Sequence, residues 1–415
     1  MNKIARLEKL IKSLCVYEVN DDEVIISLKN LLLNVNNENV ISYWSSFFKT
    51  LCKYASADNL KGYISDLILT NDNIFTRYAS CEKADELSEN IVKAVKNDLN
   101  ILETISEIAP NDIISEISDD DVKNILLSMA FWNTGESKAP LKEDWSNNLE
   151  TIKYYHKTNG YGIYAKYRAF AWRNEKLCPV TSSNPITLDN LKSYEKQRKK
   201  VVDNTESFVM GLPANNALLY GDRGTGKSST VHAVLNHFAP MGLRMIEVPK
   251  SAICEIPILL EKIVNSPIKF IIFIDDLSFN SDDDNYAQLK AVLEGSVSAT
   301  QRNTLIYATS NRRHLIKESF SSRETDDLHR GDTMQETLSL SDRFGLSVTF
   351  INPDKNKYFE ILDKIAQDRK LDVDFEKLHR GAERFALERG GRSPRVGRQY
   401  IDFVESKVKK GQDWN

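Results

Sequence analysis

The stretch Tyr220-Gly-Asp-Arg-Gly-Thr-Gly-Lys-Ser-Ser229 decides the fold of this chain. Its glycines and its Lys-Ser pair fit the spacing G-x-x-x-x-G-K-[ST] of a phosphate-binding loop, in which backbone N–H groups turn inward around a phosphate. Lys227 is predicted to reach the β- and γ-phosphates, and the Ser228 hydroxyl is predicted to ligate Mg²⁺. The predicted contacts to a nucleotide come from Gly221, Asp222, Arg223, Gly224, Thr225, Gly226, Lys227, Ser228 and Ser229.

The residues on either side of the loop support this prediction. Residues 217–220 form a short apolar run typical of a buried strand, and residues 230–238 are typical of a helix. A helix that starts directly after the loop points its N-terminal N–H groups at a bound anion. The alternative is a glycine turn that binds nothing, and the flanking strand and helix favour the phosphate loop.

A second apolar strand ends in two carboxylates. Residues 269–274 read Lys-Phe-Ile-Ile-Phe-Ile and are followed by Asp275 and Asp276. The carboxyl end of a strand in a doubly wound sheet faces the crevice where ligands bind. We therefore predict that Asp275 holds Mg²⁺ through water, and that Asp276 orients and polarises an attacking water molecule.

A third apolar strand, residues 304–308, is followed by Thr309-Ser310-Asn311. Asn311 is the candidate for a hydrogen bond to the γ-phosphate and to the attacking water. Its alternative role is to cap a helix that starts near Arg312, because asparagine is a favoured N-cap residue. The sequence leaves both roles open.

The order of strands and helices predicts the fold class. From Ala217 onward predicted strands alternate with helices, which indicates an α/β core whose parallel sheet is covered on both faces. Residues 1–130 lack strand alternation and place apolar residues three and four apart, which indicates packed amphipathic helices. We predict strands at 217–220, 243–248, 269–274, 303–308 and 346–351, and lid helices near 354–369, 374–389 and 394–409.

Aromatic residues recur every three positions between the two regions, at Tyr161, Tyr164, Tyr167 and Phe170. This spacing is typical of one buried face of a helix, and the helix face is the favoured interpretation. The alternative is a platform on which single-stranded nucleic acid stacks, since basic residues lie between the rings.

Composition limits the classes of protein that the chain can belong to. It has 415 residues, 41% of them hydrophobic and 27% charged, and its five cysteines are scattered without metal spacing. Residues 1–150 hold 15 Lys and Arg against 25 Asp and Glu, a net of −10, which leaves +6 for residues 151–415. We expect a cytoplasmic protein without a membrane span, a zinc site or the basic footprint of a dedicated nucleic-acid binder.

Over roughly residues 186–409 these motifs resemble the AAA+ ATPases. Residues 221–228 resemble Walker A, residues 270–276 resemble Walker B, and Asn311 resembles sensor 1. Residues 341–345 resemble the segment that carries the arginine finger, with Arg343 as the finger. Residues 391–395 resemble sensor 2, with Arg395 preferred over Arg392. Residues 186–194 are similar to the segment that packs on adenine.

Longer strings resemble one subfamily, an uncharacterised bacterial ATP-binding family known only by a domain-of-unknown-function label. They are Leu-Leu-Tyr-Gly-Asp-Arg-Gly-Thr-Gly-Lys-Ser-Ser, Ile-Asp-Asp-Leu-Ser-Phe, Ala-Thr-Ser-Asn-Arg-Arg-His-Leu and Leu-Ser-Asp-Arg-Phe-Gly-Leu. The resemblance implies a three-layer P-loop core at 186–352 and a helical lid at 353–415. An all-α domain at 1–175, with a linker to about residue 190, precedes them.

The resemblance also implies an activity, which is Mg²⁺-dependent ATP hydrolysis in a homo-oligomeric ring or partial ring. Asp276, Asn311, Arg343 and Arg395 would be catalytic, and Ser228 and Asp275 would hold the metal. An unknown protein partner would bind through the N-terminal domain. Two alternatives remain: a nucleotide-gated scaffold with little turnover, or a loader of helicase or transposition type acting on DNA. Other candidates for the finger are Arg312, Arg313, Arg323 and Arg330.

Overall fold

A computed structural model of the chain describes residue 7 and residues 9–54, 58–181, 185–279, 284–294, 303–311 and 343–414. The chain folds into two compact units, Met1–Lys166 and Tyr167–Asn415. None of the helices in these described ranges is long and apolar enough to cross a membrane.

The first unit is built from helices, which confirms the helical N-terminal region expected from the sequence. Polar caps start several of them: the Asp22 side chain accepts hydrogen bonds from the backbone N–H groups of Val24 and Ile25, for example. Trp44 and Phe47 pack against Trp132 at ring-centroid distances of 4.7 and 4.8 Å. The helices are α1 Glu23–Leu33, α2 Val40–Tyr54, α3 Leu60–Leu69, α4 Ile74–Ser80, α5 Glu89–Ser106, α6 Pro110–Ile114, α7 Asp120–Leu127, α8 Leu149–Asn159 and α9 Ile163–Lys166.

The second unit contains a seven-stranded sheet in the order β2-β1-β4-β5-β6-β3-β7. Every neighbouring pair is parallel except β1 with β2. Successive side chains of a strand point to opposite faces of the sheet. In the central strands successive residues are buried, such as Ile271 and Ile272 of β5, so both faces of the sheet are covered. The strands are β1 Ala169–Arg173, β2 Lys176–Pro179, β3 Ala217–Gly221, β4 Leu243–Glu247, β5 Lys269–Ile274, β6 Thr304–Ser310 and β7 Leu346–Phe350.

Helices complete the second unit and confirm the three-layer α/β fold with a helical lid. The last three helices form the lid, with their own core around Tyr358, Leu378 and Ile401. The helices are α10 Glu195–Val209, α11 Lys227–Phe238, α12 Ile256–Ile263, α13 Asp284–Leu293, α14 Lys355–Asp368, α15 Phe375–Glu388 and α16 Pro394–Lys409. All five strands predicted between residues 217 and 351 are present.

The prediction that Tyr161, Tyr164, Tyr167 and Phe170 form one helix face is wrong. Helix α9 ends at Lys166, and Phe170 lies in strand β1, so the four aromatic residues do not form one helix face. Strand β1 also lies within the range expected for the helical domain, yet it pairs with β4 of the core sheet. Phe170 and Trp172 are fully buried there, so they do not form an exposed stacking platform.

Candidate nucleotide-binding site

The phosphate loop lies between the end of β3 and the start of α11, as the sequence predicts. Gly221 has a φ of +126°, and a Cβ atom built there would lie 2.0 Å from the Phe350 carbonyl oxygen of the neighbouring strand β7. Only glycine allows this close approach. Gly226 precedes α11, whose first N–H groups have no partner within the helix and therefore suit an anion.

The Lys227 side chain folds back into the loop. Its ammonium group donates to the carbonyl oxygens of Gly221 at 2.8 Å and Asp222 at 2.7 Å, and to Asn311 Oδ1 at 3.2 Å. Burial lowers the pKa of Lys227, and the carboxylates of Asp222, Asp276 and Asp275 oppose that shift. The cation is thus held in a largely buried position at the centre of the loop.

Ser228 and Asp275 meet at the carboxyl edge of the sheet. The Ser228 hydroxyl donates to Asp275 Oδ1 at 2.7 Å, and the Thr309 hydroxyl donates to the same oxygen. Strands β5 and β6 are neighbours in register, so Thr309 lies beside the end of β5. The site therefore groups a serine hydroxyl and a carboxylate next to the phosphate loop.

Asp276 and Asn311 form a second pair beside the first. The Asn311 amide group donates to Asp276 Oδ1, and the Asp276 backbone N–H donates to the Thr309 hydroxyl oxygen at 3.0 Å. Asp276 has a φ of +50°, a left-handed conformation that is uncommon for residues other than glycine. Thr309 thus contacts both carboxylate residues at the end of β5.

The lid contacts the phosphate loop directly. The Arg395 backbone N–H donates to the Gly224 carbonyl oxygen at 3.1 Å. Gly224 has a φ of +75°, and a Cβ atom there would lie 2.9 Å from Ser393 Oγ. Arg392 instead pairs with Glu383 of the lid through two hydrogen bonds, of 2.6 and 2.9 Å. Of the two arginines proposed from the sequence, only Arg395 lines the cavity described next.

A cavity of about 610 Å³ lies between the phosphate loop, the segment before α10 and the lid. Its volume lies within the range of small-molecule sites. The basic side chains on its wall outnumber the acidic ones, which suits an anionic ligand: Lys192, Arg198, Arg223, Lys227, Arg395 and Arg398 stand against Asp275, Asp276 and Asp402. The other loop residues on the wall are Gly224, Thr225, Gly226, Ser228 and Ser229.

Arg343 does not lie on this cavity. Its guanidinium group donates from Nε to Glu294 Oε1 at 2.7 Å, just beyond the end of α13. The other candidates for the finger, Arg312, Arg313, Arg323 and Arg330, lie outside the described residues. The structure therefore brings together every other proposed catalytic residue, but not Arg343.

Several residues of the cavity were not predicted as site residues. Thr309 lies in β6, two positions before Asn311, which directly follows the strand, and this two-residue spacing is that of side chains on one side of a strand. Arg398, Gln399 and Asp402 follow Arg395 at helical spacing on α16 and also line the cavity. The spacing of the strand and of the helix could have identified both groups. Leu191 and Tyr194 line the cavity as well, within the segment 186–194 that resembles an adenine-packing segment.

Comparison with solved structures finds distant similarities, among them the three that follow. Each covers 55% of this chain. The Thermotoga maritima RuvB Holliday junction branch migration motor is 16% identical with a TM-score of 0.37, over 66% of its own chain. The Aeropyrum pernix ORC1 protein in complex with DNA is 15% identical with a TM-score of 0.40, over 64% of its chain. A katanin structure is 15% identical with a TM-score of 0.35, over 74% of its chain.

The comparison with curated proteins returned no match. The profile of a family described as "Protein of unknown function (DUF815)" matches residues 165–408, which is more than half of the chain. The match spans the phosphate loop, the two carboxylate residues that follow β5 and the lid. It confirms the expected resemblance to a family known by a domain-of-unknown-function label. The chain belongs to the DUF815 family.

Proposed function

We propose that this chain is a Mg²⁺-dependent ATPase of AAA+ type. The observation that carries the proposal is the convergence of Lys227, the Ser228–Asp275 pair and the Asp276–Asn311 pair on one cavity. A buried cation suits the β- and γ-phosphates, and two carboxylates suit a metal and a water molecule. The cavity is large enough for a nucleotide and has a predominantly basic wall.

The donor atoms fit Mg²⁺. The Ser228 hydroxyl and the Asp275 carboxylate are hard oxygen donors that touch each other at 2.7 Å. The described residues hold no group of three or more His, Cys, Asp or Glu side chains that could form a metal cage. This agrees with Mg²⁺, which is usually held by one or two carboxylates together with substrate phosphates and water. When bound, Mg²⁺ would neutralise charge on the β- and γ-phosphate oxygens.

Asp276 is the proposed residue that orients the attacking water. Its carboxylate is fixed by the Asn311 amide group, and its backbone N–H is fixed by Thr309. Asn311 also contacts the Lys227 ammonium group, so one side chain links the water-orienting carboxylate with the phosphate-binding cation. Arg395 would add positive charge from the lid side of the cavity.

The proposal includes assembly. Arg343 is the proposed finger that completes the site of a neighbouring copy, since it does not line the cavity of its own chain. Hydrolysis would move the lid against the core, and the output would be remodelling or regulation of a protein partner that binds residues 1–166. The short Asp276 side chain favours a second candidate, a scaffold that binds ATP and hardly hydrolyses it.

The first experiment compares Lys227→Ala with the parent chain by calorimetry with ATP and Mg²⁺. We expect at least a 100-fold loss of affinity, about 2.7 kcal/mol, because the variant removes the buried cation of the loop. Lys153→Ala is the matched control, since Lys153 is a largely covered lysine paired with Asp85 and Glu150 in the first unit. Unchanged affinity in a folded Lys227→Ala variant would refute the proposal. Tight binding by the parent with negligible turnover would favour the scaffold.

A further inference from the structure

Asp222 is an acidic residue in a loop that is proposed to bind an anion. A carboxylate near phosphates is repelled by them, so its presence needs a physical reason. The structure supplies one, because residues 223–230 line the cavity while Asp222 does not. Its Oδ2 atom instead accepts a hydrogen bond of 2.6 Å from the backbone N–H of Asn352.

Asn352 belongs to the junction between the core sheet and the lid. Strand β7 ends at Phe350, and helix α14 of the lid begins at Lys355. Pro353 follows Asn352, and a residue before proline is restricted to extended backbone conformations. A bond to Asn352 therefore holds a short and stiff connection through which the lid is attached.

Three successive junction residues are bonded to residues of the nucleotide site. The Asp222 backbone N–H donates to the Phe350 carbonyl oxygen at 2.8 Å. The Tyr194 hydroxyl, from the cavity wall, donates to the Ile351 carbonyl oxygen at 2.7 Å. The Asp222 carboxylate accepts from Asn352. Each residue from Phe350 to Asn352 is therefore hydrogen-bonded to Asp222 or to Tyr194.

The same loop residue also contacts the buried cation. The Lys227 ammonium group donates to the Asp222 carbonyl oxygen at 2.7 Å. A phosphate that drew this ammonium group toward itself would weaken that bond and shift the Asp222 peptide. Asp222 therefore links the buried cation with the junction: its carbonyl oxygen contacts Lys227, and its N–H and carboxylate contact the junction.

We propose that Asp222 is a positioning residue that couples the phosphate loop to the core–lid junction, so that nucleotide binding is transmitted to the lid through the Asp222–Asn352 hydrogen bond. This inference rests on the proposed function. It differs from contact between the lid and the nucleotide through Arg395, because it runs through the backbone of the junction and needs no lid side chain.

Two substitutions separate the hydrogen bond from the charge. Asp222→Ala removes the acceptor, while Asp222→Asn keeps an acceptor oxygen of the same shape and loses the charge. Asp354→Ala is the matched control, because the Asp354 carboxylate also accepts from a backbone N–H near the junction, that of Lys357, without contacting the phosphate loop. Each variant is made in the full chain.

Hydrogen exchange at the Asn352 amide without nucleotide tests the contact. We expect exchange about tenfold faster in Asp222→Ala and near-parent exchange in Asp222→Asn and Asp354→Ala, since the net contribution of one hydrogen bond is worth about that factor and Asp222→Asn keeps the acceptor oxygen. Parent-like exchange in Asp222→Ala would overturn the inference. Equal acceleration in Asp222→Asn would also overturn it, because charge and not the acceptor would then matter.

Turnover and ATP binding test the coupling. We expect kcat to fall about tenfold in Asp222→Ala with a smaller change in the Kd for ATP, and Asp222→Asn to restore kcat, since the loss lies in positioning and not in phosphate contact. Bound ATP should change exchange at Asn352 in the parent but not in Asp222→Ala. If the parent binds and hydrolyses ATP while Asp222→Ala matches it in both readouts, the coupling is wrong and the proposed function stands. If the parent does not bind ATP in calorimetry, the proposed function itself fails.

Discussion

The buried polar side chains Asp98 and His156 of the first unit and the site residues of the second unit differ in what they contact. In the first unit the fully buried Asp98 carboxylate accepts hydrogen bonds from the backbone N–H groups of Cys15, Val16 and Tyr17. His156 is also buried and contacts the backbone carbonyl oxygen of Gly160. These side chains satisfy backbone groups of their own unit.

In the second unit the polar side chains contact one another around an open cavity. Ser228 bonds to Asp275, and Asn311 bonds to both Asp276 and Lys227. Side chains that only support the fold need no such mutual contact. Burial and hydrogen bonding alone therefore do not identify a functional site; convergence on a shared cavity does. Substitutions of matched residues in the two units can test this distinction.

The largest effect on ATP turnover is expected from a comparison of two arginines, each of which donates from Nε to a carboxylate. Arg343 pairs with Glu294 in the second unit, and Arg77 pairs with Asp72 at 2.6 Å in the first. We expect Arg343→Ala to lower ATP turnover by 10³–10⁵-fold, about 4–7 kcal/mol, as removal of a finger does. Arg77→Ala should leave turnover unchanged, because exposed ion pairs contribute about 0–1 kcal/mol to stability. Steady-state ATPase assays over a range of protein concentrations measure both.

The oligomeric part of that prediction has its own readout. Turnover per subunit of the parent should rise with protein concentration, and added Arg343→Ala subunits should inhibit the parent in mixtures. Turnover that is independent of concentration, with no inhibition on mixing, would show that one chain holds a complete site. Loss of activity in Arg77→Ala of equal size would remove the contrast between the two units.

The next largest effect is expected from a comparison of two aspartates, each of which accepts a hydrogen bond from a neighbouring residue. Asp276→Asn should bind ATP like the parent and hydrolyse it 10²–10⁴-fold more slowly, because the amide keeps the shape and loses the charge that orients water. Asp22→Asn in the first unit should keep full turnover, since asparagine caps a helix as well as aspartate does. Single-turnover rates with calorimetric Kd values separate hydrolysis from binding. Near-parent hydrolysis by Asp276→Asn would assign Asp276 a structural role.

Local patterns predicted the residues that the structure brings together beside the phosphate loop. The phosphate loop is one continuous stretch, and the carboxylates and Asn311 each follow an apolar strand. Parallel strands bring their carboxyl ends to one edge of the sheet, so strand order was the only missing step. The structure supplies it, with β3 beside β6 and β6 beside β5.

The rest of the site depends on contacts that distant segments make. The bond from Asp222 to Asn352 follows from the register that sets Gly221 opposite Phe350, and no motif encodes that register. The pairing of Arg343 with Glu294 joins two segments far apart in sequence. Strand β1 was missed for a different reason: Phe170 continues the three-residue spacing of Tyr161, Tyr164 and Tyr167, and a short apolar run does not distinguish a strand from a helix.

The smallest effect concerns the first unit and the titration of His156. Burial lowers the pKa of His156 to about 4 from its ordinary value of 6.5, and its Nε2 atom has no hydrogen-bond partner. The folded chain therefore holds this histidine neutral, whereas the unfolded chain protonates it below pH 6.5. The free energy of unfolding therefore keeps its full value above pH 6.5. It falls progressively as the pH drops toward 4, by about 3 kcal/mol in total, because protonation of His156 favours the unfolded chain.

Hydrogen exchange in α8 of the full chain, measured from pH 7 to pH 4 and corrected for the intrinsic rate, should show this loss in the opening free energy. His156→Gln should flatten the pH dependence in α8 while leaving exchange in α11 of the second unit as it is in the parent, because the two helices belong to separate compact units. A pH dependence in α8 that persists in His156→Gln would assign the titration to another group. A change of the same size in the hydrogen exchange of α11 would contradict the expectation that His156 stabilises its own unit.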